Sequence, residues 1–83
     1  MTHDQIRGAI IGQILFIAPD VDENDIVPDR NLQRSLEIDS FDFLKILTAL
    51  SEILGVEVPE SDYSQVDTLD HMVAYFADRM AAV

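Results

Sequence analysis

Nine residues decide the fold, and they read Leu36-Glu37-Ile38-Asp39-Ser40-Phe41-Asp42-Phe43-Leu44. Asp39 is a favoured N-cap residue, and Gly55 is a typical C-terminal stop. These two signals predict a helix from about Ser40 to Leu54. Its expected apolar stripe consists of Leu44, Leu47, Leu50, Ile53 and Leu54, widened by Phe43 and Ile46.

Upstream of this stretch, the sequence predicts one helix followed by a long connection. Thr2 and Gln5 form a capping-box pattern at the start of the helix, and Pro19 ends it. The isoleucines at helical spacing are Ile6, Ile10, Ile14 and Ile17. From residue 18 to residue 38 the periodicity is lost, which predicts a long ordered loop. Its expected anchors in the core are Val21, Ile26, Leu32 and Leu36.

Downstream, Pro59 precedes a short helical segment near residues 61–66, and a last helix begins near Thr68. The apolar face of that helix is predicted to comprise Leu69, Met72, Val73, Phe76 and Met80. No segment alternates as a strand would. The prediction is therefore an all-α bundle of three main helices and one short helix, with a long loop between the first two helices. We expect residues 1–83 to form a single domain.

Composition narrows the function. The 83-residue chain has no cysteine, which excludes disulfides, thiolate metal sites and thiol nucleophiles in the protein itself. No apolar stretch is long enough to span a membrane and no signal peptide is recognisable, so we expect a cytoplasmic protein. The net charge of −11 disfavours nucleic acid and favours a basic protein partner.

Residues for catalysis or metal binding are few. The two histidines, His3 and His71, are far apart in the sequence and have no nucleophile beside them, so we expect no enzyme. Asp20, Asp22 and Asn24 have the spacing of the first calcium-loop ligands. That loop requires Gly at its sixth position and Glu at its twelfth, where this chain has Asp25 and Asn31. We therefore expect no metal site.

The arrangement of a helix, a long loop, an Asp-Ser-hydrophobic motif and a second helix resembles the acyl carrier protein family. The likeness continues through Gly55-Val56-Glu57-Val58-Pro59-Glu60 and into the last helix after Val66-Asp67-Thr68-Leu69. It implies that Ser40 carries covalent 4′-phosphopantetheine, delivered from coenzyme A by a phosphopantetheinyl transferase with magnesium. It also implies a non-catalytic carrier that presents acyl thioesters to enzymes of fatty acid, lipid or polyketide-type biosynthesis. Asp39 would be the motif residue that caps the helix.

The face of the second helix beside Ser40 is the expected docking surface for partner enzymes with basic patches. Its candidate residues are Phe41, Asp42, Lys45, Thr48 and Glu52. Glu37, Phe41 and Lys45 depart from residues common in the family and indicate a specialised pathway. Three alternatives stay open: an aminoacyl or peptidyl carrier, an unmodified acidic helical adaptor that binds a basic partner and in which Ser40 is only a cap, and a calcium-responsive module. We expect a monomer.

Overall fold

The computed structural model describes residues 1–81, and within them the regular structure is helical. The α-helices are α1 (His3–Ile17), α2 (Leu32–Ser35), α3 (Ser40–Leu54) and α4 (Leu69–Ala81). Two 3-10 segments cover Glu23–Asp25 and Glu60–Val66. The predicted all-α bundle with three main helices and a short helical segment near residues 61–66 is confirmed. No helix within residues 1–81 combines the length and apolarity needed to cross a bilayer.

The ends of the long helices follow local sequence signals. Thr2 and Gln5 form a complete capping box at the start of α1. The Asp39 side chain caps α3, and Gly55 ends that helix with a left-handed φ of 68°. Only glycine adopts this conformation without a steric penalty from Cβ. The caps therefore fix both ends of the helix that begins at Ser40.

The core lies where α1 packs against both α3 and α4. Its fully buried side chains include Ile6, Ile10, Ile14, Leu50 and Phe76. The radius of gyration is 11.6 Å, close to the value of about 12 Å expected for a folded chain of this length. The three long helices thus surround one hydrophobic core.

The predicted apolar stripe of α3 was partly wrong. Leu44 is 38% exposed and Ile53 is 53% exposed, so neither belongs to the core. The buried residues are Phe43, Ile46, Leu47, Leu50 and Leu54. Apolar residues surround more of α3 than one face can bury, and the packing of α1 selects the face centred on Ile46 and Leu50.

The long connection is more structured than predicted, because it contains α2. Asn31 caps this single turn by accepting the Arg34 N–H at 3.0 Å. The Leu32 N–H donates to the Asp67 carbonyl at 2.8 Å, and the Asp70 N–H donates to the Pro28 carbonyl at 3.0 Å. These bonds fasten the connection to the start of α4. Of the predicted anchors, Ile26 and Leu32 are buried, whereas Val21 and Leu36 are partly buried against the core.

Candidate functional site

Ser40 is the first residue of α3, and its side chain is exposed. The Asp39 carboxylate accepts the Asp42 N–H at 2.8 Å, and the Asp39 carbonyl accepts the Phe43 N–H at 3.0 Å. The predicted cap at Asp39 is therefore confirmed as a structural feature. It presents the Ser40 hydroxyl to solvent at a fixed helix end.

The electrostatics of this end fit a negatively charged group. The first N–H groups of a helix lack intrahelical partners, and the helix dipole places partial positive charge there. Asp39 uses one of these N–H groups, and the others of the first turn remain close to Ser40. A phosphodiester on the Ser40 oxygen would thus lie where backbone donors favour an anion. The residues present fit a phosphate-linked prosthetic group.

A tight turn between α2 and α3 positions Asp39 and Ser40. The Ile38 N–H donates to the Gln33 carbonyl at 3.0 Å, which is the six-to-one bond of a Schellman motif at the end of α2. Glu37 occupies the left-handed position of that motif with φ 54°, and Ile38 is buried. Glycine is the usual residue at such a position. The turn therefore places backbone strain on Glu37.

A groove of about 180 Å³ opens beside Ser40. Its lining combines residues from four parts of the chain: Gln33, Ser40, Phe43, Leu44, Tyr63 and Asp67. Sequence analysis missed Gln33, Tyr63 and Asp67 as neighbours of Ser40. No local motif marks them, since only tertiary packing brings the segment Glu60–Val66 to the start of α3.

A second groove of about 460 Å³ runs along the exposed side of α3. It brings together four of the five predicted docking residues, Phe41, Lys45, Thr48 and Glu52, with Leu44 and Ala49. The fifth, Asp42, lies beside the groove and pairs with Lys45 at 3.7 Å. Phe41 is 79% exposed. Sequence analysis missed Leu44 as a surface residue because it was assigned to the core.

Both histidines, His3 and His71, are surface residues. The His71 Nδ1 lies 2.6 Å from the Asp67 carboxylate, and the His71 side chain is 63% exposed.

The residues with calcium-loop spacing have a local structural role. The Asp22 carboxylate accepts the Asn24 N–H at 2.9 Å and caps the segment Glu23–Asp25. Within residues 1–81, no group of three or more His, Asp or Glu side chains is arranged to hold a metal ion.

An exposed serine at the capped start of a helix, in a small acidic bundle, is typical of helical carrier domains. Residues 9–76 match the family model described as a phosphopantetheine attachment site. Among curated relatives, an acyl carrier protein of Lactobacillus johnsonii is 33% identical over 75 residues, covering 90% of this chain and 92% of the relative. One of Rubrobacter xylanophilus is 29% identical over 79 residues, with 92% and 98% covered. A third, from Helicobacter hepaticus, is 26% identical over 74 residues, with 89% and 91% covered.

The chain belongs to the acyl carrier protein family. It is a non-catalytic carrier, and its prosthetic group is covalent 4′-phosphopantetheine. The group supplies a terminal thiol on which cargo is held as a thioester. A carrier of this kind has a phosphopantetheinyl transferase and cargo-handling enzymes as its partners. The absence of cysteine from the chain is consistent with this chemistry, since the thiol comes with the prosthetic group.

Proposed function

We propose that Ser40 is the attachment residue of 4′-phosphopantetheine and that Asp39 holds it in place by capping α3. The observation that supports this most directly is the exposed Ser40 hydroxyl at a capped helix N-terminus, beside backbone N–H groups. The Ser40 oxygen attacks the coenzyme A phosphorus that bears the pantetheine. A new P–O bond forms, the pyrophosphate P–O bond breaks, and adenosine 3′,5′-bisphosphate leaves. The serine proton passes to a base of the transferase.

We propose that partner enzymes dock on the α3 groove through Phe41, Asp42, Lys45, Thr48 and Glu52. Phe41 is 79% exposed, which suits an anchor that inserts into an apolar pocket. Asp42 and Glu52 contribute to the net charge of −11, which steers the carrier towards basic patches. The same charge disfavours association with a second copy of the chain, so we propose a monomer. We also propose that residues 1–83 form one carrier domain.

The proposed cargo is an acyl intermediate of fatty acid, lipid or polyketide-type biosynthesis, held as a thioester. Glu37, Phe41 and Lys45 favour a specialised pathway over primary fatty acid synthesis, because each changes the shape or charge of the surface next to Ser40. An aminoacyl cargo is the alternative. Mass analysis of the thioester on the protein purified from its natural source distinguishes the two.

Thiol titration tests the attachment, since the chain has no cysteine. The apo protein is incubated with coenzyme A, magnesium and a broad-specificity phosphopantetheinyl transferase, then separated from coenzyme A. We expect one thiol per molecule and a mass increase of one phosphopantetheine. Ser40→Ala should gain neither, whereas Ser51→Ala, in the same helix, should react like the wild type. Loading of Ser40→Ala, or no loading of any variant, contradicts the proposal and favours the unmodified adaptor.

A charge-matched pair of variants tests the docking surface. Glu52 lies in the α3 groove, whereas Glu57 is exposed outside that groove. Glu52→Lys and Glu57→Lys change the net charge equally, so long-range steering is the same in both. We expect Glu52→Lys and Phe41→Ala to raise the KM of the transferase for the apo carrier, and Glu57→Lys to change it much less. Equal effects of the two lysine variants would show that only net charge matters.

A further inference from the structure

Three side chains form a closed cluster between the segment Glu60–Val66 and α4. The Asp62 carboxylate accepts the Tyr75 hydroxyl at 2.7 Å and the Arg79 Nη2 at 3.2 Å. The Arg79 guanidinium lies 4.1 Å from the centre of the Tyr75 ring, within cation–π distance. Each member therefore contacts the other two. We call Asp62, Tyr75 and Arg79 the latch.

On the α4 side, the latch is anchored in the core through Tyr75. Tyr75 is 5% exposed, and its ring meets Phe76 edge to face with centroids 5.8 Å apart. Phe76 itself is fully buried in the core. Hydrogen bonds from Tyr75 and Arg79 hold the pKa of Asp62 below its usual value of 3.8, so the carboxylate stays charged at neutral pH. Charge-assisted hydrogen bonds of this kind are stronger than neutral ones.

Besides the latch, the segment is attached to the core by Val66, which is buried, and by Tyr63, which packs partly against the core. It is a 3-10 helix, whose hydrogen-bond geometry is poorer than that of an α-helix. Pro59 at its N-cap makes no side-chain capping bond, and Val66 is its one buried residue. Gln65 donates to Asp62 at 3.2 Å, but this bond lies within the segment itself. The latch is thus a principal tie between the middle of the segment and the core.

The segment also forms one wall of the groove beside Ser40. Tyr63, the neighbour of Asp62 in the chain, lines that groove and packs partly against the core. Opposite the segment stand Phe43 and Leu44 of α3. Because α3 is fixed by its own cap and by buried side chains, the width of the groove depends on where the segment holds Tyr63.

We propose that Asp62, Tyr75 and Arg79 are positioning residues that hold Tyr63 as the wall of the Ser40 groove, and that opening the latch widens this groove. The volume of the groove, about 180 Å³, then depends on latch residues that do not themselves line the groove. A cavity of about 150 Å³ accommodates a benzene molecule, so the groove beside Ser40 is comparable in volume to the space that a small group fills. The inference goes beyond the attachment of the prosthetic arm and does not require it.

Hydrogen exchange on the apo chain tests whether the latch holds the segment Glu60–Val66 in place. The variant is Arg79→Gln and the matched control is Arg7→Gln. Both arginine side chains are 39% exposed, and Arg79 pairs with Asp62 as Arg7 pairs with Asp70. Either substitution makes the net charge one unit more negative. Arg7 lies on α1, outside the latch. We expect amide exchange in residues 62–66 to become about tenfold faster in Arg79→Gln than in Arg7→Gln, relative to the Leu50 amide in the core.

Whether the latch also sets the position of Tyr63 in the groove wall is tested by the NMR resonance of the Tyr63 ring in chains with ¹³C-labelled tyrosine. The chain has two tyrosines, and Tyr63→Phe assigns the signals. We expect the Tyr63 resonance to move in Arg79→Gln and Asp62→Asn but not in Arg7→Gln. Arg79→Lys, which retains the charge, should restore part of both effects. Tyr75→Phe keeps the buried ring and removes only the hydroxyl, so it breaks the bond from residue 75 to Asp62 without creating a cavity and leaves the bond between Arg79 and Asp62.

Two results would overturn the proposal. In the first, exchange in residues 62–66 changes equally in Arg79→Gln and Arg7→Gln, or only in proportion to exchange at Leu50, so the latch does not hold the segment. In the second, the segment exchanges faster but the Tyr63 resonance stays where it is in the wild type, so the latch does not set the groove wall. Because the apo chain is used, neither result depends on whether Ser40 is modified.

Discussion

Single residues at the start of α3 determine how Ser40 is presented. Glu37 adopts a left-handed φ of 54°, which lets Ile38 turn back and bond to Gln33. Asp39 then caps α3, and Ser40 follows as its first residue. The strained residue is thus part of the turn that aims the serine. Backbone strain of this kind often occurs next to functional positions.

Replacing Glu37 with glycine should stabilise the protein. A left-handed conformation costs a residue with Cβ about 1–2 kcal/mol, while glycine loses about 0.5–1 kcal/mol more backbone entropy on folding. The expected net increase in the free energy of unfolding lies between about 0 and about 1.5 kcal/mol, measured by urea denaturation. Glu37→Ala removes the same charge but keeps Cβ, so it is the control. Equal or lower stability of Glu37→Gly compared with Glu37→Ala would mean that the backbone strain at residue 37 does not exceed the entropy cost of glycine.

At the scale of secondary-structure elements, α3 has two apolar faces with different roles. One face, centred on Ile46 and Leu50, packs in the core. The other carries Phe41 and Leu44 along the exposed groove. Ile53 is also exposed, but it does not line this groove. The helix therefore contributes to stability on one side and carries the proposed docking surface on the other.

The same substitution at two isoleucines of α3 tests whether the buried and exposed sides of the helix contribute differently to stability. Ile46 is 1% exposed and Ile53 is 53% exposed. Ile46→Ala should lower the free energy of unfolding by about 2–5 kcal/mol, because it leaves a cavity in the core. Ile53→Ala should lower it by less than about 1 kcal/mol. Chemical denaturation of both variants checks the prediction, and similar losses would mean that the assigned faces of α3 are incorrect.

The segment Glu60–Val66 and α4 are linked in a pH-dependent way. Burial, then the hydrogen bond to Asp62, raises the pKa of Tyr75 above its ordinary value of 10.0. A raised folded-state pKa contributes stability below pH 10.0, which is lost as the pH rises through the folded-state value. We therefore expect the stability difference between the wild type and Tyr75→Phe to shrink above pH 10.0, as measured by urea denaturation. Tyr63→Phe serves as the control and should retain the alkaline loss. A constant difference between wild type and Tyr75→Phe would contradict the assignment.

For the molecule as a whole, charge is the dominant property. The 83 residues include sixteen acidic and five basic ones, which gives a net charge of −11. The surface ion pairs, such as Lys45 with Asp42 and Arg7 with Asp70, leave most of the acidic side chains unneutralised. Repulsion between these side chains opposes the compact state. In the proposed function, the same excess charge steers the carrier towards basic patches on its partners.

Salt should therefore stabilise the fold. The Debye length falls from about 30 Å at 0.01 M to about 3 Å at 1 M ionic strength, so added sodium chloride screens the repulsion. A gain of about 1 kcal/mol corresponds to an increase in Tm of about 4–8 °C for a domain of this size. Thermal unfolding followed by circular dichroism over this range measures the effect. An unchanged or falling Tm would show that self-repulsion does not limit stability.

The parts of the structure that the sequence predicts are those determined locally. Caps at Thr2 and Asp39 and the stop at Gly55 define helix ends through neighbouring residues alone. By contrast, α2 is a single turn, too short for any periodicity to appear. The burial of Ile46 and the exposure of Ile53 depend on where α1 packs. Tyr63 and Asp67 reach the Ser40 groove only through long-range contacts, which one sequence cannot specify.

The most direct test of the central claim is to locate the modification in the protein purified from its natural source. Trypsin cleaves after Arg34 and Lys45 and releases the peptide covering residues 35–45, which contains two serines, Ser35 and Ser40. Tandem mass spectrometry of this peptide assigns the modified residue. We predict phosphopantetheine on Ser40 and an unmodified Ser35. Phosphopantetheine on any other residue, or a chain that carries none, would contradict the claim that Ser40 is the attachment site.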